Sequence, residues 1–197
     1  MTLPAFALTR TSSDPFPHFK VSGILSPGEA DRALDWLRHR APWILRVESF
    51  YEQHEFSLLS TELGAEIAGL VSPPFIEAVR TELRERFGCD GGLTLVDVSA
   101  HRLTAGQTIR IHNDFIGGEE THRLLIQLND GWDAGRGGLL MLFAGEAPES
   151  LRHVVMPTHG SGFAFEISPA SYHAVSSIKA GERYTLVYTF RRDMASE

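Results

Sequence analysis

Two apolar rhythms divide the chain. In "LSPGEADRALDWLRHR" (25–40), Ala30, Ala33, Leu34 and Leu37 recur at helical spacing and make one face of a helix apolar. Ser26 as N-cap, Pro27 at the first helical position and Glu29 in capping-box position mark its start. A second helix is predicted over 74–87, with Phe75, Ile76, Val79, Leu83 and Phe87 on one side and Gly88 as its stop. Between the two, "WILRVESFYEQHEFSLLS" (43–60) reads as two short strands. Its aromatics, Trp43, Phe50, Tyr51 and Phe56, read as core or edge packing.

After Cys89 the rhythm changes to short β-rich runs separated by Gly, Pro, Asn and Asp, with no strong helix signal. Strands are predicted at 93–103, 108–113, 123–128, 139–143, 153–156, 162–165, 172–176 and 184–190. Short strands at this spacing predict a double-sheet jelly roll. The expected fold is mainly β with flanking helices. A double-stranded β-helix (jelly roll) core over 91–193 follows an α/β N-terminal region over 1–90, and a length of 197 residues suits a single domain.

Charge narrows the function classes. The formal charge of -7, from 18 basic and 25 acidic side chains, is spread without blocks and argues against nucleic-acid or membrane partners. The single cysteine, Cys89, forms no internal disulfide and reads as an inert small residue after a helix. The start "MTLPAFALTR" has no charged segment followed by a long apolar run, and no stretch approaches a membrane span, so a cytoplasmic location is expected. Oligomeric state is not legible.

Candidate chemistry begins at "RIHNDFIGG" (110–118). On a strand, residues two apart share a face, so His112 and Asp114 would present a nitrogen and an oxygen ligand side by side. By itself the triplet is as compatible with a surface turn. A jelly roll brings distant strands to one mouth, and His173, on a short strand 59 positions after Asp114, is the candidate third ligand. Ten positions later Arg183 opens the last strand and shares a face with Thr185, Val187 and Thr189, where a cation requires an anion. His18, His39, His54, His101, His122, His153 and His159 match no ligand position and read as solvated or hydrogen-bonded. Arg110 shares the face of His112 by alternation and could meet an acidic group, although an exposed edge position is the plainer reading.

The order His-x-Asp, then His, then Arg resembles the iron(II)/2-oxoglutarate-dependent dioxygenases, in their prolyl-hydroxylase-like branch. The resemblance spans 102–190. "RLTAGQTIRIHND" is similar to the family's opening, with Gly106 ahead of the first ligand. "LLIQLNDGWDAGRGGLLMLF" resembles its strand, Asn-containing turn, Trp and paired glycines, and "VVMPTHGSGFAFEISPASYHAV" its Pro, Gly, Phe and final histidine. The resemblance implies Fe(II) held by His112, Asp114 and His173, the facial triad of non-haem iron oxygenases, with 2-oxoglutarate and O2 as cosubstrates. It implies that Arg183 takes the distal carboxylate of 2-oxoglutarate through its planar fork. Two positions depart from the pattern: Leu103 stands where many relatives have a tyrosine that helps hold the cosubstrate, and Leu139 where a glutamate often follows the glycines. Thr185, with Gln127 behind it, is then the candidate second cosubstrate contact. Asp114 implies hydroxylation rather than halogenation, because related halogenases keep that position small.

Three functions follow: hydroxylation of a peptide or protein side chain with succinate and CO2 as co-products, the same chemistry on a free amino acid or small metabolite, and a non-catalytic jelly roll that binds a partner. The intact triad and arginine speak against the last. Primary-substrate recognition falls to the 43–60 hairpin and to "IGGEET" (116–121), which reads as a mobile acidic rim or as an ordinary turn.

Overall fold

The computed structural model describes residues 2–6 and 11–193, so part of the N-terminal segment considered above lies outside the described residues. Helix α1 occupies Pro27–His39, and Ser26 caps it with the expected partner: the Ser26 hydroxyl donates to Glu29 Oε2 at 2.7 Å. Thr2 adds its N–H and hydroxyl to Glu29 Oε1 at 2.6 and 2.9 Å. Burial alone would raise the Glu29 carboxyl, but the hydrogen bonds from Ser26 and Thr2 outweigh it and hold the pKa at about 2. A carboxyl depressed from 4.5 in this way stabilises the fold in full above that value and loses its contribution as the pH falls toward 2. Glu29→Gln is therefore expected to cost about 1 to 2 kcal/mol in urea unfolding at pH 7. The gap between variant and wild type should narrow steadily below pH 4.5.

The strands are β1 (His18–Val21), β2 (Ile44–Val47), β3 (Glu52–Ser57), β4 (Leu93–Thr104), β5 (Ile109–His112), β6 (His122–Gln127), β7 (Leu140–Phe143), β8 (Leu151–Val155), β9 (Gly162–Glu166), β10 (His173–Val175) and β11 (Glu182–Arg192). They form a seven-stranded sheet, β1-β9-β6-β11-β4-β3-β2, facing a four-stranded sheet, β5-β10-β7-β8, the jelly roll expected. Strands β1 to β3, all from the first 90 residues, extend the larger sheet. Two short elements carried no periodic signal: β1 and the four-residue helix α2 (Ala65–Ala68). Helix α3 runs Pro73–Phe87 and ends on Gly88 in the left-handed region (φ 62°).

Alternation along β11 sorts the layers. Tyr184, Leu186, Tyr188 and Phe190 pack with Ala33, Leu34 and Leu37 of α1 and Phe75, Val79 and Leu83 of α3 in one apolar cluster. A second cluster, with Leu103, Leu140, Leu142, Phe163, Phe165 and Val175, lies between the sheets. The opposite face of β11, Arg183, Thr185, Val187 and Thr189, lines a pocket. Among the described residues, no helix is long and apolar enough to cross a membrane.

Candidate active site

β10 pairs antiparallel with β5 so that His173 stands opposite His112. The third residue arrives by another route than alternation. β5 ends at His112, and Asp114 adopts a left-handed backbone (φ 61°), which aspartate tolerates better than most residues. The turn is pinned: Asn113 Oδ1 accepts the Phe115 N–H at 3.1 Å, and the Asn113 carbonyl accepts the Ser171 hydroxyl at 2.8 Å. Contrary to what alternation leads one to expect, His112 and Asp114 therefore do not share a strand face. They converge because the chain leaves the strand and turns back.

His112 Nδ1 lies 2.8 Å from the Arg110 carbonyl and His173 Nδ1 2.8 Å from the Ser171 carbonyl. A carbonyl only accepts, so both Nδ1 atoms carry hydrogen, and Nε2 is the nitrogen each ring can offer to a ligand. Burial disfavours the charged form of His173. Burial alone would raise the Asp114 carboxyl, but Arg123 and the two histidines hold it well below the usual carboxylate range. Nε2 of His112 then sits 3.2 Å from Asp114 Oδ1, and Nε2 of His173 sits 3.2 Å from Oδ2. Two imidazoles and one carboxylate, with ligand atoms all within 4.8 Å of one another, fit a divalent cation such as Fe(II). Phe50 stacks on the His112 ring at 4.6 Å and Phe165 meets His173 edge-on at 4.9 Å, which fixes both ring planes.

Arg183 is 4% exposed and finds no carboxylate among the described residues. Burial lowers its pKa to about 10. It donates to Thr185 Oγ1 at 2.8 Å, and the Thr185 hydroxyl donates to Gln127 Oε1 at 3.0 Å, so both candidate cosubstrate contacts form one chain with the arginine. Thr185 lines the pocket, whereas Gln127 stands behind it. Leu103, in the tyrosine's place, is opposite Arg183 in the ladder and fully buried. The paired glycines also have a use here. A Cβ on Gly138 (φ 66°) would lie 2.9 Å from Arg183 Cδ and 2.7 Å from Ile178 Cδ1, so the arginine's stem needs that glycine.

The pocket of about 750 Å³ brings together His112, Asp114, His173, Arg183 and Thr185. It also collects residues that sequence reasoning assigned elsewhere. Arg123, read only as the start of a strand, donates to Asp114 Oδ2 at 2.7 Å and to Glu120 Oε2 at 2.6 Å. His101, read as an ordinary histidine, lines the wall with its pKa lowered to about 4 by burial. Glu55 can only accept, so the Gln53 atom 2.7 Å away is its amide nitrogen, which also reaches His101 Nδ1 at 3.3 Å. His101 Nε2–H accordingly donates to Ser99 Oγ at 3.0 Å. Of the hairpin aromatics, Trp43 and Phe56 pack in the core, but Phe50 and Tyr51 line the pocket. The hairpin tip docks on β5, where the Arg110 N–H donates to the Phe50 carbonyl at 2.9 Å and the Arg110 side chain to the Ser49 carbonyl. Arg110 is exposed and engaged there, not at the pocket wall. Sequence alone offered no signal for either: Arg123 acquires its role where the turn after β5 folds back onto it, and His101 from Gln53 on β3, distant in the chain.

Residues 98–191 match the model of the 2OG-Fe(II) oxygenase superfamily. No curated protein matches the sequence. Among solved structures, a Pseudomonas putida prolyl-4-hydroxylase superposes with a TM-score of 0.71 at 20% identity, covering 90% of this chain and 93% of that one. A Trichoplax adhaerens prolyl hydroxylase, in complex with a hypoxia inducible factor oxygen degradation domain peptide fragment, gives 0.73 at 15% identity, with 89% and 83% covered. A viral collagen prolyl hydroxylase from Paramecium Bursaria Chlorella virus-1, in its 2OG complex, gives 0.62 at 17% identity, with 89% and 96% covered. At these identities the likeness is one of fold.

Proposed function

We propose that the chain, whose residues 98–191 match the model of the 2OG-Fe(II) oxygenase superfamily, uses Fe(II) with 2-oxoglutarate and O2 as cosubstrates to hydroxylate a C–H bond of a peptide or protein side chain, releasing succinate and CO2. His112 and His173 through Nε2, and Asp114 through a carboxylate oxygen, are the metal ligands in this reading. Bound Fe(II) supplies the redox chemistry that couples oxidative decarboxylation of 2-oxoglutarate by O2 to insertion of one oxygen atom into the substrate. Arg183 takes the distal carboxylate of 2-oxoglutarate. Thr185 holds the guanidinium in plane, with Gln127 fixing the threonine rotamer.

The observation that carries the reading is a buried arginine without an acidic partner among the described residues, in the same pocket as three converging ligand atoms. A dicarboxylate that also chelates a metal satisfies both ends of that pocket at once. The peptide substrate is supported by the hairpin tip: Phe50 and Tyr51, docked beside His112, place an aromatic surface where a side chain would enter. The neighbouring prolyl hydroxylase that carries a peptide shares the fold.

The test incubates the purified protein with Fe(II), 2-oxoglutarate and O2 together with peptides or free amino acids. Succinate and a substrate mass gain of one oxygen atom are the readouts. A peptide containing the target residue is expected to accelerate succinate formation well beyond the corresponding free amino acid. Equal stimulation by both would move the substrate to the small-metabolite class, and absence of 2-oxoglutarate turnover with any candidate would sink the hydroxylase reading.

A further inference from the structure

We propose that Arg123 is a positioning residue for the Asp114 carboxylate, and that Glu120 holds Arg123 in that task. The proposal deepens the metal reading above and rests on it.

Asp114 lies outside the ladder, in a left-handed turn, so no strand pairing fixes the direction of its side chain. Arg123 does lie in a ladder, on both sides: it pairs with Thr189 of β11 and with Phe165 of β9. Its backbone is thus a rigid platform, and its fork reaches across from the seven-stranded sheet to the turn that follows β5 of the other sheet. Apart from the two histidines, it is the one group among the described residues that engages the Asp114 carboxylate.

The contact is selective between the two oxygens. Oδ2 accepts Arg123 at 2.7 Å, while Oδ1 has only His112 Nε2 at 3.2 Å. A guanidinium on one oxygen resists rotation of the carboxylate and leaves the other oxygen to the cation. Glu120 supplies the counterweight. With Asp114 and Glu120 each at -1 and Arg123 at +1, the three groups keep the net -1 of a single carboxylate, so the arginine does not repel a cation as an unpaired one would. Glu120 sits in the segment between β5 and β6 and lines the pocket, so the acidic rim and the metal ligand are joined by one side chain.

Charge and orientation predict opposite outcomes, which makes the proposal testable. Removing a nearby positive charge would by itself tighten cation binding, whereas losing the orientation would weaken it. Wild type, Arg123→Gln, Arg123→Lys and Glu120→Gln are titrated with Co(II) by calorimetry, and the visible ligand-field bands of the bound Co(II) are recorded. Arg123→Gln should lose about 10- to 100-fold in Co(II) affinity and shift the bands. Arg123→Lys should recover part of the loss, because one donor can still reach Asp114. Glu120→Gln, which touches no ligand, should show a smaller loss in the same direction. Wild-type or tighter Co(II) affinity with unchanged bands in Arg123→Gln overturns the proposal. Where Arg123→Gln does not fold, wild-type affinity in Glu120→Gln overturns it equally. Failure of the wild type itself to bind Co(II) would strike the metal assignment underneath.

Discussion

Arg183→Lys is expected to raise the KM for 2-oxoglutarate by about 10- to 100-fold, because a charge-assisted bond lost from a planar fork costs about 1.5 to 3 kcal/mol. Lysine keeps the charge but cannot grip a carboxylate with two parallel donors while also reaching Thr185. Metal binding should be retained, since Arg183 makes no contact with His112, Asp114 or His173. Arg183→Leu separates cosubstrate binding from folding. It removes a cation that is 4% exposed and has no acidic partner among the described residues, so the ligand-free protein should melt at a higher temperature than wild type. The same variant should gain nothing from added 2-oxoglutarate, whereas wild type should be stabilised by it. Thermal melts of both proteins, with and without 2-oxoglutarate and Mn(II), decide the matter. An unchanged 2-oxoglutarate dependence in Arg183→Lys would mean that the arginine serves another anion.

The largest expected loss follows from the proposed metal ligands. Disturbing a group behind a ligand costs about 10- to 100-fold, and removing a ligand should cost more, so His173→Ala should turn over 2-oxoglutarate at less than about 1% of the wild-type rate. His173 is buried and pairs through its backbone with both His112 and Leu142, so the ladder should survive the change and the loss should be chemical. Calorimetry with Mn(II) checks the binding step and circular dichroism the fold. Full Mn(II) affinity in both His112→Ala and His173→Ala would refute the ligand assignment.

Legibility in the sequence followed the range of the physics. Helices α1 and α3 announce themselves because their caps and apolar stripes are local, as with Ser26, Glu29 and Gly88. The eight strands after Cys89 were legible for the same reason, through alternation and turn residues. β1 was not, because four residues between Pro17 and the turn at Gly23 offer too little periodicity, and its partner β9 lies more than a hundred residues away. The candidate site was readable as a pattern of types in order, His112, Asp114, His173 and Arg183. The means of convergence was not. Strand alternation is a local rule, whereas the left-handed turn at Asp114 is held by Ser171, and the carboxylate meets Arg123 from another strand. His101 was read as ordinary because a histidine's surroundings, here Gln53, Ser99 and Glu55, come from pairing with β3.

The division of the pocket between the two sheets has a mechanical consequence. His112 and His173 ride on the smaller sheet, Arg183 and Thr185 on the larger, so a ligand held at both ends would act as a rivet through the sandwich. A slight parting of the layers would cost little secondary structure but would stretch that rivet beyond reach. Loss of 2-oxoglutarate affinity should therefore be the earliest sign of strain in this protein, preceding any change in its strand content on warming.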